Sequence, residues 1–337
     1  MTKSRQWRLR ARPVGMVKES DFELAESAVP KPGPGELLVR NLYLAFEPAM
    51  RGWMEDRPSY LPPVGIGEVM RGMTVGRVVE SNQPGIAAGD LVSAMGGWQE
   101  WFATGAPVNK LPPGIEPTLA LSVLGITGLT AYFGMQELGK PRAGETVVVS
   151  GAAGATGSVA GQIAKLHGCR VIGIAGGAAK CAWLTGEANF DAAIDYKRED
   201  VASRLASLAP SGIHVYFDNV GGPILEAVLG QIAERARIVL CGGISGYNEP
   251  EPPPGPRNLM NLVVRRGRME GFIVIDYAAR FPEATQQLSR WVAEGRIAHR
   301  VDVQKGFENA PRTFQRLFRG ENTGKQLLKV ADPPIRV

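Results

Sequence analysis

Gly151, Gly154 and Gly157 recur at intervals of three within VVVSGAAGATGSVAGQIAKLHGCRVIGIAGG, residues 147–177. Glycines so spaced let a chain turn tightly and bring bare backbone amides against a pyrophosphate. The start of a following helix adds partial positive charge for the same phosphates. A Gly-x-x-Gly-x-x-Gly string alone is a weak signal and often marks only a flexible turn. Its flanks decide here. Val147, Val148 and Val149 precede it, a helical pattern covers residues 156–167, and the apolar run Val171, Ile172, Gly173, Ile174 follows. Strand, glycine loop, helix and strand in about thirty residues is the layout of a βαβ dinucleotide unit.

The same stretch separates the two nicotinamide dinucleotides. An NAD site carries an acidic residue at the end of the second strand to hold the adenosine ribose hydroxyls. Here that strand ends in Ala175, Gly176 and Gly177 with no carboxylate directly after it; the first base is Lys180, and Tyr196, Lys197 and Arg198 come further on. Lys180 alone could be a solvated lysine at a helix start. The missing carboxylate is the stronger indication, and it favours a 2′-phosphate, hence NADP(H).

These residues need elements to hold them, and the 337-residue chain is long enough for two domains. Its 42 glycines and 25 prolines are dispersed, the pattern of a turn-rich globular protein. Residues 1–124 read as all-β, with alternating runs at 36–44, 74–80, 91–94 and 98–103 separated by KPGPGE, NQPGIAAGD and KLPPG. Within this barrel-like region FEPAMRGWMEDRPSYLPP is too irregular for one element and reads as a loop over a cavity. Tyr60, beside Pro62 and Pro63, either caps that loop or lines a substrate pocket. Residues 125–295 alternate strands and helices. Strands are expected at 147–149, 171–174, 192–195, 215–218, 237–240 and 270–275, which make a complete doubly wound sheet.

Ligands sit at the C-terminal ends of such strands. That singles out Asn219-Val220-Gly221-Gly222, Cys241-Gly242-Gly243-Ile244-Ser245 and Phe272-Ile273-Val274. Paired glycines also occur in plain turns, but two pairs at equivalent edges favour cofactor contact. The proline cluster Pro250, Pro252, Pro253, Pro254 and Pro256 reads as a stiff solvent loop or a rim over the site. The tail, residues 296–337, returns to a β-rich style and is expected to fold back on the first domain. His299 within it reads as structural.

Charge and cysteine usage narrow the function classes. The net charge of +5 is matched by Lys3, Arg5, Arg8, Arg10 and Arg12 alone, so the remainder is neutral. A basic arm for nucleic acid is one reading. The alternation Trp7, Arg8, Leu9, Arg10 fits an edge strand with outward charges better, and no nucleic-acid partner is expected. No apolar run reaches a membrane span and no signal-peptide core is visible, so no membrane partner is expected. Three cysteines, at 169, 181 and 241, have no paired spacing and suggest reduced thiols in the cytoplasm. Cys169 and Cys241 read as core packing. Residues 1–166 contain neither cysteine nor histidine, so the zinc site of a zinc-dependent alcohol dehydrogenase cannot be assembled there, and no metal is expected.

NLYLAFEPAMRGWM, GMTVGRVVES, LGITGLTAYFG, the glycine-loop stretch, YFDNVGG, CGGISGYN and GENTGKQLLKV together resemble the zinc-independent medium-chain dehydrogenase/reductases. The likeness is to the NADPH-dependent double-bond reductases among them: prostaglandin/leukotriene, plant alkenal and bacterial curcumin reductases. It implies an α/β chain with a Rossmann doubly wound parallel sheet at 125–295 for NADP, plus a β-rich GroES-like catalytic domain from 1–124 and 296–337. It also implies reduction of the carbon–carbon double bond of α,β-unsaturated ketones and aldehydes by a homodimer joined through its nucleotide-domain sheets. Around the cofactor it implies Gly154, Ala155, Thr156 and Gly157 on the pyrophosphate, and Lys180 and Tyr196 on the 2′-phosphate. Asn219, Cys241, Gly242, Ile244, Ser245, Tyr247, Phe272, Ile273, Val274 and Asn322 complete that site. Many relatives read Asp-Pro-Tyr-Met-Arg where this chain has Glu47-Pro48-Ala49-Met50-Arg51, so their pocket tyrosine is missing and no specific substrate carries over. A tyrosine before the last sheet strand of plant relatives is replaced in the vicinity of Val263 and Val264.

Hydride arriving at the β-carbon of an enone drives negative charge onto its carbonyl oxygen, which calls for a fixed hydrogen-bond donor there. The candidates are the phenols of Tyr247, taken first, and Tyr60, or a cofactor ribose hydroxyl. A quinone oxidoreductase would share fold, cofactor and zinc independence. A non-catalytic NADPH-binding sensor or scaffold is the reading from another class, motivated by Ala49.

Overall fold

A computed structural model describes residues 3–251 and 253–332; Pro252 of the proline cluster lies outside the described residues. In chain order the strands begin with β1 (Lys3–Leu9), β2 (Phe22–Ala28), β3 (Leu37–Ala45) and β4 (Thr74–Ser81). Next come β5 (Leu91–Ala94), β6 (Trp101–Thr104), β7 (Asn109–Lys110), β8 (Thr146–Ser150) and β9 (Arg170–Ala175). The last six are β10 (Ala192–Asp195), β11 (Ile213–Asp218), β12 (Ile232–Leu240), β13 (Arg268–Gly271), β14 (Val301–Lys305) and β15 (Lys325–Lys329). They divide between two compact units, one made of residues up to Leu121 with those from Val301 onward, the other Ser122–Arg300.

In the first unit a seven-stranded sheet runs β14-β15-β3-β4-β5-β7, with β6 also on β3, and β1 and β2 form a separate antiparallel ribbon. The tail strand β15 pairs antiparallel with β3, Leu327 opposite Ala45. Trp98 is fully buried, with Phe22, Phe46 and Phe314 around it at ring separations of 5.2, 5.0 and 5.5 Å. Phe314 comes from the tail helix Ala310–Arg319, so the tail supplies part of this core. Met50, Trp53 and Met54 enter the same cluster. The Met- and aromatic-rich stretch expected to cover a cavity is therefore in large part an anchor: a one-turn helix, Met50–Trp53, whose apolar side chains fill the core.

The second unit is built on a six-stranded, all-parallel sheet in the order β10-β9-β8-β11-β12-β13. Numbered within this sheet the order is 3-2-1-4-5-6, a doubly wound α/β arrangement with its switch point between β8 and β11. β8, Thr-Val-Val-Val-Ser, is buried at every position, as a central strand covered on both faces must be. The last expected strand is shorter than its apolar run suggested. β13 ends at Gly271, paired with Leu240 at the end of β12, and Phe272, Ile273 and Val274 lie beyond it, leading into a 3₁₀ helix, Val274–Arg280. With β12 also ended, residues after Gly271 have no ladder to continue. Residues 296–300, read from sequence as tail, stay with the second unit. The Gln162 side chain holds the Ala298 backbone at both its N–H (2.7 Å) and its carbonyl (2.9 Å). Among the described residues no helix is long and apolar enough to cross a membrane.

Candidate cofactor and active site

The C-terminal edge of the parallel sheet gathers most of the predicted residues. After β8 the chain turns at Gly151, whose φ of +56° is a left-handed conformation that glycine adopts without strain. Gly154 is extended and has no side-chain cap to offer the helix Ala155–Leu166 that follows. The first intrahelical bond is that of Ser158 N–H to the Gly154 carbonyl, 3.1 Å. The amides of Ala155, Thr156 and Gly157 precede it, and no acidic side chain stands in this first turn. Gly157 is required by close approach: a Cβ there would lie 2.5 Å from the Gly151 carbonyl oxygen and 2.9 Å from Ala152 Cα. It brings the helix against the turn itself rather than against the strand. A bare, positively polarised helix start facing a side-chain-free turn suits a pyrophosphate.

At the end of β9 the structure adds a carboxylate that the local sequence did not reveal. Asp195, last residue of the neighbouring β10, accepts from the backbone N–H of Gly177 (2.8 Å) and of Lys197 (3.1 Å). The Gly177 amide is the main influence holding this carboxyl below the usual aspartate range. Tyr196 follows directly, 45% exposed, with its ring over Gly176: a Cβ on that glycine would lie 2.8 Å from the ring and 3.0 Å from the Lys197 stem. Lys180 stands in the first turn of the helix Ala178–Gly186. Two lysines and a phenol thus surround the end of β9. The place of Lys197 beside Gly176 emerges only from the fold.

The β11 and β12 ends interlock. Asn219 Nδ2 donates to the Ser150 carbonyl (2.7 Å), fixing this side chain over the Gly151 turn. Ile244 N–H donates to the Asn219 carbonyl at 3.2 Å, and Ser245 Oγ to that of Val220 at 2.6 Å. The two glycine pairs face each other, since a Cβ on Gly221 would sit 3.6 Å from Gly243 Cα. They let the loops approach one another. Tyr247 curls back over its own loop, its hydroxyl accepting from the Gly243 N–H at 3.2 Å. The same oxygen would lie 3.0 Å from a Cβ on Gly242. Cys241 begins this loop, and burial, with Asp218 nearby, pushes its thiol up to about 12. Phe272 packs on Gly134 with Phe217, while Ile273 and Val274 are half-buried beside it.

The remaining predicted residues lie elsewhere. Tyr60 and Asn322 belong to the first unit. Tyr60 is 44% exposed, and its hydroxyl accepts from Trp53 Nε1 at 3.1 Å. Partial burial of that hydroxyl raises its pKa. Asn322 Nδ2 donates to the Gly324 carbonyl at 2.9 Å. Ala49 packs against the Trp98 core, and Val263 and Val264 sit on the helix Met260–Arg265, which precedes β13 and so lies away from the strand ends. Among the described residues no group of His, Cys, Asp or Glu is arranged to hold a metal ion.

Residues 5–110 match the family described as the N-terminal domain of oxidoreductase, and residues 155–293 the one described as zinc-binding dehydrogenase. Along 98% of its length the chain is 45% identical to the NADPH-dependent curcumin reductase of Escherichia coli (strain K12), 97% of which is covered. It belongs to the zinc-independent medium-chain dehydrogenase/reductases, among the double-bond reductases. Prostaglandin reductase 1 of Bos taurus is 38% identical, with 98% of this chain and 100% of that one aligned. CurA from Vibrio vulnificus, solved in complex with NADPH, matches this reductase with a TM-score of 0.94 at 42% identity, covering 98% and 100% of the two chains.

What sequence reasoning missed in the reductase is chiefly Asp218. It closes β11 in the motif YFDNVGG and appeared only as a strand end, yet its carboxylate is the acceptor on which the surrounding loops converge. An acidic residue inside an otherwise apolar strand was the available signal.

Proposed function

We propose that the chain reduces the carbon–carbon double bond of α,β-unsaturated ketones and aldehydes with NADPH. The observation that carries this reading is the side-chain-free turn at Gly151 and Gly157, in a chain 45% identical end to end to an NADPH-dependent reductase. Gly151, Gly154, Ala155, Thr156 and Gly157 hold the pyrophosphate on backbone amides. Lys180 and Tyr196, with Lys197 beside them, hold the 2′-phosphate. Asn219, the loop from Cys241 to Tyr247, Phe272, Ile273 and Val274 shape the nicotinamide end. Bound NADPH supplies a hydride.

The protein's own part is to orient the enone and stabilise its oxygen as charge builds there. Tyr247 is the first candidate: the Gly243 N–H bond to its hydroxyl oxygen polarises the phenol and strengthens it as a donor. Tyr60 is the second. The enolate so formed takes a proton from water at its α-carbon, leaving the saturated carbonyl compound as product.

Assembly as a homodimer is supported by the exposed edge strand β13 and by the adjoining helix, where Met260, Val263 and Val264 are each about two-thirds exposed. Three free cysteines favour a reducing, cytoplasmic setting. No nucleic-acid role is proposed.

Following NADPH absorbance with alkenals, cyclic and aryl enones and quinones tests the reading. Turnover of enones with NADPH is expected. Turnover of quinones alone would favour a quinone oxidoreductase. NADPH binding without any turnover would favour the sensor or scaffold.

A further inference from the structure

Asp218 is fully buried at the last position of β11, in the middle of the parallel sheet. A carboxylate so placed needs several donors to offset its lost hydration. Its Oδ1 accepts from four: Ser150 Oγ (2.8 Å), the Tyr216 hydroxyl (2.8 Å), and the N–H groups of Val220 (3.0 Å) and Gly221 (2.9 Å). Its backbone carbonyl accepts from Cys241 N–H (2.9 Å) and Gly242 N–H (3.0 Å). Ser150 closes the ring, since its Oγ also accepts from the Asn219 N–H at 2.9 Å and its carbonyl from Asn219 Nδ2. One residue thereby ties together the ends of β8, β11 and β12. Those ends carry the Gly151 turn, the Asn219–Gly222 turn and the loop that begins at Cys241.

We propose that Asp218 is the positioning residue of the cofactor site. It fixes these three segments relative to one another and so sets NADPH affinity from beneath, through backbone amides and Asn219. The inference rests on the reading that these loops hold NADPH. Burying a charge where an apolar network would be cheaper is consistent with such a use, because four donors converging on one oxygen define a single loop geometry.

The test is NADPH affinity by quenching of protein fluorescence, KM for each substrate, kcat and thermal melting for wild type, Asp218→Asn, Ser150→Ala and the double variant. Asparagine retains one acceptor oxygen but loses the charge and puts an NH₂ group where Oδ2 lies. Asp218→Asn is expected to weaken NADPH binding about tenfold to a hundredfold, the factor corresponding to charge-assisted hydrogen bonds. Ser150→Ala should act in the same direction by less, and the double variant should fall short of the product of the two effects. The enone KM and kcat at saturating NADPH should move far less than the cofactor KM. Lowered melting temperatures with wild-type NADPH affinity, or fully multiplicative losses, would overturn the proposal. If Asp218→Asn does not fold, Ser150→Ala and Tyr216→Phe each remove one donor and keep the charge; unchanged NADPH affinity in both would overturn it equally. Failure of the wild-type protein to bind NADPH would instead sink the cofactor reading.

Discussion

Tyr247 and Tyr60 are both phenols, but their surroundings differ. Tyr247 lies on a loop held through Ile244 and Ser245 to the Asn219–Val220 turn after β11, and its oxygen accepts a backbone N–H. Tyr60 leans on the Trp53 indole at the surface of the other unit. A donor that must meet developing charge benefits from the stiffer mounting. Tyr247→Phe is therefore expected to lower kcat roughly tenfold to a thousandfold. Tyr60→Phe should cost less, as read from steady-state rates with one enone, and the reverse order would exchange their roles. Cys241 gives a pH prediction. Burial disfavours its thiolate, so the pKa rises to about 12 and the reactive form is gained only as pH climbs towards that value. At pH 8 the protonated thiol therefore dominates. Mass spectrometry after brief iodoacetamide treatment at pH 8 should find Cys241 unmodified; rapid labelling would contradict the assignment.

The elements that carry the site were legible where one period or one spacing dominates. The triple valine of β8, the glycines after it and the helix behind them appear in sequence nearly where the fold places them. Long-range pairing was not legible. Asp195 reaches Gly177 across a strand boundary, and Ser150 meets Asp218 only because β8 and β11 are sheet neighbours. The apolar run after Gly271 looked like strand because hydrophobicity says nothing about whether a partner strand continues. The Met50–Trp53 stretch looked like a pocket loop because core packing by an irregular segment has no period. The turn at Gly157 offers an element-scale test. Gly157→Ala puts a methyl 2.5 Å from the Gly151 carbonyl, so the helix must back away from the turn. A stability loss of about 1–3 kcal/mol is expected for such overpacking. NADPH affinity should fall about tenfold or more, as for loss of one or two phosphate hydrogen bonds. Gly161→Ala, whose methyl would strike the Phe190 ring, is the comparison. It should destabilise the same helix with a smaller effect on the cofactor, and equal effects on affinity would argue against a special role for the turn.

For the whole molecule, three of the five N-terminal bases have partners within the first unit. Lys3 pairs with Glu26 at 2.6 Å, Arg5 with Glu100 at 2.9 Å, and Arg12 donates to the Met54 and Val64 carbonyls. The apolar exposure beside β13 is different, since Met260, Val263 and Val264 stay uncovered in the single chain. Val263→Asp with Val264→Asp is expected to shift a dimer to monomer in light scattering without lowering the melting temperature of the monomer. A wild-type protein that is already monomeric would exclude the dimer.

Reduction of the alkene itself is tested most directly by isotope transfer. NADPH deuterated at nicotinamide C4 on the transferred face, incubated with the enzyme and an aryl enone, should yield the saturated ketone with one deuterium on the β-carbon and one NADP⁺ per product. Deuterium on the carbonyl carbon, giving an allylic alcohol, or NADPH loss without a saturated product would contradict the account.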